Sequence, residues 1–238
     1  MIQQHLDAGC IRPSSPPCAS PAFIVPKANP NLLPHWVNDY HQLNENMVTD
    51  SHPLPCIDDI LNDCMKGKIW ATIDMTNSFF QTWMHPDHIL LTVVTTPLGC
   101  YEWLVMPMGL KNVLAIHQRC VTLALRQYIG KICHIYLNNI VIWSNSIGQH
   151  EQNVRIILQA LCDAHLYVNP DKMHLFCQEI DFLGHHISMC SIEADSKKAD
   201  CILAWPQPKS ATDVCTFLGL VCYLAVFLPS LAEHTVLS

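Results

Sequence analysis

The sequence predicts an α+β fold, an antiparallel sheet with helices on one face, and three stretches carry that prediction. Two β-branched runs, Ile135-Tyr136-Leu137 and Ile140-Val141-Ile142, flank the pair Asn138-Asn139. Asn tolerates positive φ, so the runs pair as a tight hairpin with a primed turn at the two asparagines. Residues 57–65 place apolar side chains at helical spacing behind Asp58-Asp59, and 68–75 then read as a strand ending at Asp74. Residues 113–128, capped by Asn112, carry an apolar stripe of Val113, Ile116, Cys120, Leu123 and Ala124. Helices that alternate with strands while hairpins intervene are the pattern of an α+β sheet.

The remaining elements follow the same signals. Ser78 opens a short aromatic helix, 149–166 read as a second long helix, and 182–188 return as a strand. Residues 195–205 and 211–228 read as two helices beyond the sheet.

At 238 residues and 50% hydrophobic, the chain can bury one large core or two modest ones. Its longest apolar stretch, 217–228, is well short of the ~20 residues a membrane span needs. No basic leader precedes an apolar run at the N-terminus, which points to a soluble, unsecreted protein without a membrane partner. Thirteen cysteines, an odd number without a Cys-x-x-Cys pair, argue against a disulfide framework and for a reducing, intracellular setting, cytoplasmic or nuclear. The 13 Lys+Arg against 20 Asp+Glu give a formal charge of −7, so any nucleic-acid binding is weak unless the cations cluster.

Tyr136-Leu137-Asn138-Asn139 resembles the tyrosine-x-aspartate-aspartate turn of reverse transcriptases, with both aspartates replaced by asparagine. The resemblance runs along nearly the whole chain, in the manner of gypsy-type LTR retrotransposons. It is carried in order by Ile11-Arg12-Pro13-Ser14-Ser15, Asp39-Tyr40, Leu43-Asn44, Pro53-Leu54-Pro55, Met106-Pro107, Gly109-Leu110, Phe182-Leu183-Gly184-His185, Trp205-Pro206 and Phe217-Leu218-Gly219-Leu220. It implies a right-hand polymerase fold, with residues 1–188 as fingers and antiparallel palm sheet and 189–238 as the start of a helical thumb, truncated before an RNase H domain. It also implies that Met1 falls inside the first fingers helix. The implied activity is RNA- or DNA-templated DNA synthesis on a template-primer with dNTPs, by nucleotidyl transfer with two Mg²⁺ or Mn²⁺ ions.

The same resemblance assigns roles. Asp74, Asn138 and Asn139 stand at the catalytic metal-ligand positions, of which only Asp74 keeps its carboxylate. Two divalent ions need carboxylates from adjacent strands, so loss of two implies a dead or severely impaired enzyme. Phe79 matches the aromatic residue under the sugar, and Lys27, His35, Met108 and Gln118 fall at other nucleotide-binding positions. Phe182, Leu183, Gly184 and His185 match the primer grip. His35 and His41 replace arginines, and neutral imidazole does not reproduce a guanidinium fork. Leu114 replaces a proline and His117 an aromatic residue. Most of these replacements, with Arg to Cys at Cys56 and Cys215, arise from single G→A or C→T changes, the pattern of a copy degraded by deamination-type mutation; His117 does not fit it.

Read from the residues alone, Asp74 is a cap for the helix that follows it and Asn138-Asn139 a turn. Two rival functions stand beside the polymerase. One is a domesticated, non-enzymatic nucleic-acid-binding or interaction protein. The other is a zinc module, since Cys162-x-x-His165 and His174-x-x-Cys177 have ligand-like spacing; against it, Leu175 and Phe176 read as strand core.

Overall fold

In the computed structural model, residues 1–15, 17–26, 34–223 and 227 are described. The helices are α1 (Ile2–Asp7), α2 (His41–Glu45), α3 (Ile57–Cys64), α4 (Val113–Leu125), α5 (Ile147–Asp163), α6 (Ser196–Leu203) and α7 (Ala211–Tyr223). The strands are β1 (Ile11–Pro13), β2 (Ser20–Val25), β3 (His35–Asn38), β4 (Ile69–Asp74), β5 (Val94–Thr96), β6 (Gly99–Trp103), β7 (Cys133–Tyr136), β8 (Asn139–Ser144), β9 (His174–Cys177), β10 (Glu179–Phe182), β11 (His185–Ser188) and β12 (Ile192–Ala194). Among the described residues they form three sheets. An N-terminal one runs β1-β6-β5-β2-β3, with β2 and β5 parallel; a central antiparallel one runs β7-β8-β4-β9; a small antiparallel one runs β10-β11-β12.

The central sheet is covered on both faces, not one. Ala71 and Ile73 of β4, Ile135 of β7, and Ile140 and Ile142 of β8 pack with Val121 and Leu125 of α4 and with Val154, Ile157 and Leu161 of α5. The alternate residues, Trp70, Val141 and Trp143, pack on the opposite face with Ile60, Leu61 and Cys64 of α3 and with Ile180, Phe182 and Ile187 of the small sheet. Burial on both faces is why β8 reads as an unbroken apolar run instead of an alternating one. Each fully buried Ile there contributes about 1.5–3 kcal/mol. Trp70 sits fully buried because its indole N–H donates to the Cys64 carbonyl at 2.9 Å, ending α3 against the sheet.

Four local expectations are corrected. The hairpin turn lies one residue earlier than the asparagines suggest: Tyr136 pairs with Asn139, so Leu137 and Asn138 are the central residues and Asn139 already belongs to β8. Leu137, not an asparagine, takes the positive φ of +55°. The buried face of α4 is Val113, His117, Gln118, Val121 and Leu125, about a quarter-turn from the expected stripe at 3.6 residues per turn, and Leu123 is exposed. Polar His117 and Gln118 are the buried pair that pattern reading cannot anticipate. Residues 182–188 are not one strand but the β10-β11 hairpin, turning at Leu183 (φ +49°) and Gly184 (φ +71°). Leu175 and Phe176 are exposed in β9, not strand core.

Candidate nucleic-acid cleft

Strand alternation places Asp74. With Ala71 and Ile73 committed to the α4-α5 core, Thr72 and Asp74 point the other way, and Asp74 ends β4 opposite Asn139. The hairpin is held in register from below by Gln118, whose amide donates to the Ile135 carbonyl at 3.3 Å and whose oxygen accepts from the Leu137 amide at 2.7 Å. This bracket supports the left-handed Leu137 and sets Asn138 over Asp74.

The polar groups then form a chain. Asn138 donates its amide to Asp74 Oδ2 at 3.3 Å, and Asn139 donates to Asn138 Oδ1 at 3.4 Å. The other Asp74 oxygen faces Lys172 Nζ at 3.4 Å. Three carboxylates here would repel one another unless cations lay between them. Instead the Asn138 amide donates to the one carboxylate that remains, and the Asn139 amide donates to Asn138.

Lys172 arrives by backbone design. Val168 bridges Met75 beyond the end of β4, and the Asn169 amide donates to the Asp74 carbonyl at 2.8 Å. Asn169 then caps the 3₁₀ turn Pro170–Lys172 by accepting from the Asp171 amide. Between this turn, β4 and β10 opens a cleft of about 390 Å³, lined by Thr72, Asp74, Asn139, Asp171, Lys172, His174, Asp181, Phe182 and Leu183 among others. Asp74, Asp171 and Asp181 outnumber the one lysine there. Sequence reasoning missed Lys172, Asp171 and Asp181; the Asn169-Pro170-Asp171 cap was a usable turn signal, but nothing in it tied the turn to Asp74.

The cleft thus brings Asp74 and Asn139, with Asn138 bonded to Asp74, to the first half of the predicted primer grip, Phe182 and Leu183. Gly184 and His185 are not among its lining residues, and His185 is buried. Gln118 is buried behind the hairpin, and Phe79 meets the His117 ring edge-on at 5.3 Å. Met108 is half exposed, its carbonyl accepting from Asn38, and His35 is exposed at the start of β3. Lys27 lies outside the described residues. Exposed His41 bonds to Asp39, and that hydrogen bond raises its pKa above the ordinary imidazole value. Three of the four arginines are tied to acids: Arg12 to Glu102, Arg119 to Asp50 and Arg155 to Glu151.

Among the described residues, no group of three or more His, Cys, Asp or Glu side chains is arranged to hold a metal, so the zinc-like spacing does not close into a site. No described helix is long and apolar enough to cross a membrane.

A family model described as reverse transcriptase (RNA-dependent DNA polymerase) matches residues 25–187. Over 235 residues the chain is 37% identical to the retrovirus-related Pol polyprotein from transposon opus of Drosophila melanogaster, covering 98% of this chain and 23% of that one. It is 32% identical over 237 residues to the Pol polyprotein from transposon gypsy of the same organism, covering 97% of this chain and 23% of the polyprotein. The chain therefore spans less than a quarter of the length of these curated relatives. Among solved structures, a foamy viral protease-reverse transcriptase in complex with double-stranded DNA superposes at a TM-score of 0.88 with 24% identity, over 98% of this chain and 41% of that one. That likeness is one of fold, a right-hand polymerase with an antiparallel palm sheet. The chain belongs to the reverse transcriptase (RNA-dependent DNA polymerase) family, and the curated relatives it resembles are transposon Pol polyproteins, that of gypsy among them.

Proposed function

We propose that the chain is the fingers and palm (1–188) and the beginning of the thumb (189–238) of a reverse transcriptase that still engages a template-primer duplex but no longer synthesises DNA. The observation that carries this reading is the hairpin tip, where Asp74 meets the amide of Asn138, itself bonded by the Asn139 amide, and the ammonium of Lys172. Reverse transcriptases use divalent metal ions. Two Mg²⁺ or Mn²⁺ would need several anionic oxygens in near-octahedral sets, and the residues here do not fit them. One carboxylate has both oxygens engaged, and Asn138 turns an N–H toward it.

The consequence for rate is large. At ~1.36 kcal/mol per factor of ten, a loss of a few kcal/mol in transition-state stabilisation costs several orders of magnitude. Phe182 and Leu183 would still hold a primer end, and Phe79 would still lie under a sugar. The double-stranded DNA in the foamy viral structure supports a duplex as the partner. All thirteen cysteines are free thiols, which supports a reducing compartment, cytoplasmic or nuclear.

The test is to compare the chain with an Asn138→Asp, Asn139→Asp double variant for binding of a fluorescent RNA/DNA hybrid and for Mn²⁺ binding. Both forms should bind the hybrid, and only the double variant should gain Mn²⁺ affinity. No detectable hybrid binding by either form would reject the proposal.

A further inference from the structure

We propose that Lys172 is the resident cation of this cleft: its ammonium and the Asn138 amide together satisfy Asp74, making a metal-free latch between β4 and the turn ahead of β9. The inference rests on the reading of the hairpin given above, but it concerns what has taken the ions' place. Asp74 has a side chain only 20% exposed, and its two oxygens face two different donors, Asn138 Nδ2 at 3.3 Å and Lys172 Nζ at 3.4 Å. The lysine is not a chance neighbour. The Met75-Val168 bridge and the bond from the Asn169 amide to the Asp74 carbonyl fix the start of its turn to the end of β4.

Charge balance explains why the arrangement suits this chain in particular. Were residues 138 and 139 acids, one ammonium would face three carboxylates at the strand ends, and further cations would be needed. With two amides the Asp74-Lys172 pair is neutral by itself. Asp171 and Asp181 line the same cleft, and Lys172 is the only Lys or Arg among its described lining residues, so removing it deepens an excess of negative charge that is already there. A divalent ion entering here must displace the ammonium and turn the Asn138 amide around, giving up both contacts for a site with one carboxylate.

Thermal denaturation of the full chain tests the latch without reading activity or duplex binding, so its substitution cycle fails independently of the proposed function. Lys172→Met should lower Tm by about 1–4 °C, the size expected of a partly exposed pair in a domain of this length. The same change in an Asp74→Asn background should cost nothing further, because the partners act as one unit. Lys172→Arg should keep most of the native Tm. About 5 mM Mn²⁺ should leave the Tm of the unmodified chain unchanged, since a ligand that binds the folded state raises it. Equal losses from Lys172→Met in both backgrounds would overturn the proposal. So would a rise of about 5 °C in the unmodified chain with Mn²⁺ a hundredfold above its Kd.

Discussion

His117→Phe should stabilise the protein, and by an amount that grows as the solution is acidified. The imidazole is fully buried on α4, beside Phe79 and the hairpin turn, and neither ring nitrogen makes a well-formed hydrogen bond, the Leu137 backbone offering only a weak one. An unsatisfied buried polar group costs about 1–3 kcal/mol. Fitting the slightly larger phenyl ring returns part of that gain, leaving a net of about 1 kcal/mol near neutral pH, or ~2–4 °C in Tm. Burial also holds the His117 pKa below its ordinary value, only partly offset by the Leu137 backbone. The sign follows: the unfolded chain takes up a proton near pH ~6.5 that the folded chain refuses, so stability is full above that pH and falls below it. The wild-type loss approaches ~1.4 kcal/mol per pH unit for this one group, and the phenylalanine variant does not share it. His150, buried and likewise lowered by burial, remains in both proteins and cancels from the difference. Urea denaturation of both forms at pH values about one unit either side of ~6.5 measures the gap. A gap that stays constant between them would refute the buried, poorly partnered imidazole.

Gln118→Ala should destabilise by about 1–3 kcal/mol, because it strands the Leu137 amide and the Ile135 carbonyl beneath the hairpin; an unchanged denaturation midpoint would show that the hairpin stands without its bracket. Gly109→Ala should cost about 1–3 kcal/mol, since φ is +101° there and a Cβ would lie 3.1 Å from the Asn38 carbonyl; thermal melting that matches the parent would contradict this. Hybrid binding should strengthen as pH falls, with its midpoint above the ordinary imidazole value of ~6.5 because Asp39 raises the His41 pKa. Asp39→Asn should move that midpoint downward, and affinity that is flat with pH would show that other cations carry the contact.

Much of the fold was legible because its signals are local. The 57–64 helix, the strand into Asp74, the paired runs around the asparagines and the two helices after the sheet follow from period, caps and β-branched content. What failed was tertiary. A sheet buried on both faces leaves no alternation to reveal the second layer, so the packing of α3 and of the small sheet behind Trp70 and Trp143 was not foreseen. The turn slipped by one residue because Gln118 supports a left-handed Leu137, a contact from nineteen positions away that outweighs Asn's own preference. The face of α4 was misplaced for the same reason: His117 and Gln118 look like surface residues until the hairpin is set against them. In the cleft, Asp74, Asn138 and Asn139 were readable by resemblance. Lys172 was not, since its meeting with Asp74 spans 98 residues and depends on the pairing around Val168 and Asn169.

The central claim is that a palm with one carboxylate and two amides does not transfer nucleotides. Primer extension by the purified, unmodified chain, on a primed RNA template with all four dNTPs and with Mg²⁺ or Mn²⁺ in turn, tests it most directly. No extension is expected with either ion. Restoring both aspartates should return Mn²⁺ binding with little synthesis, because His35, His41 and Leu114 leave the nucleotide misplaced and an error of about 1 Å can cost ~100-fold. Robust extension by the unmodified chain that is abolished by Asp74→Asn would contradict the claim outright.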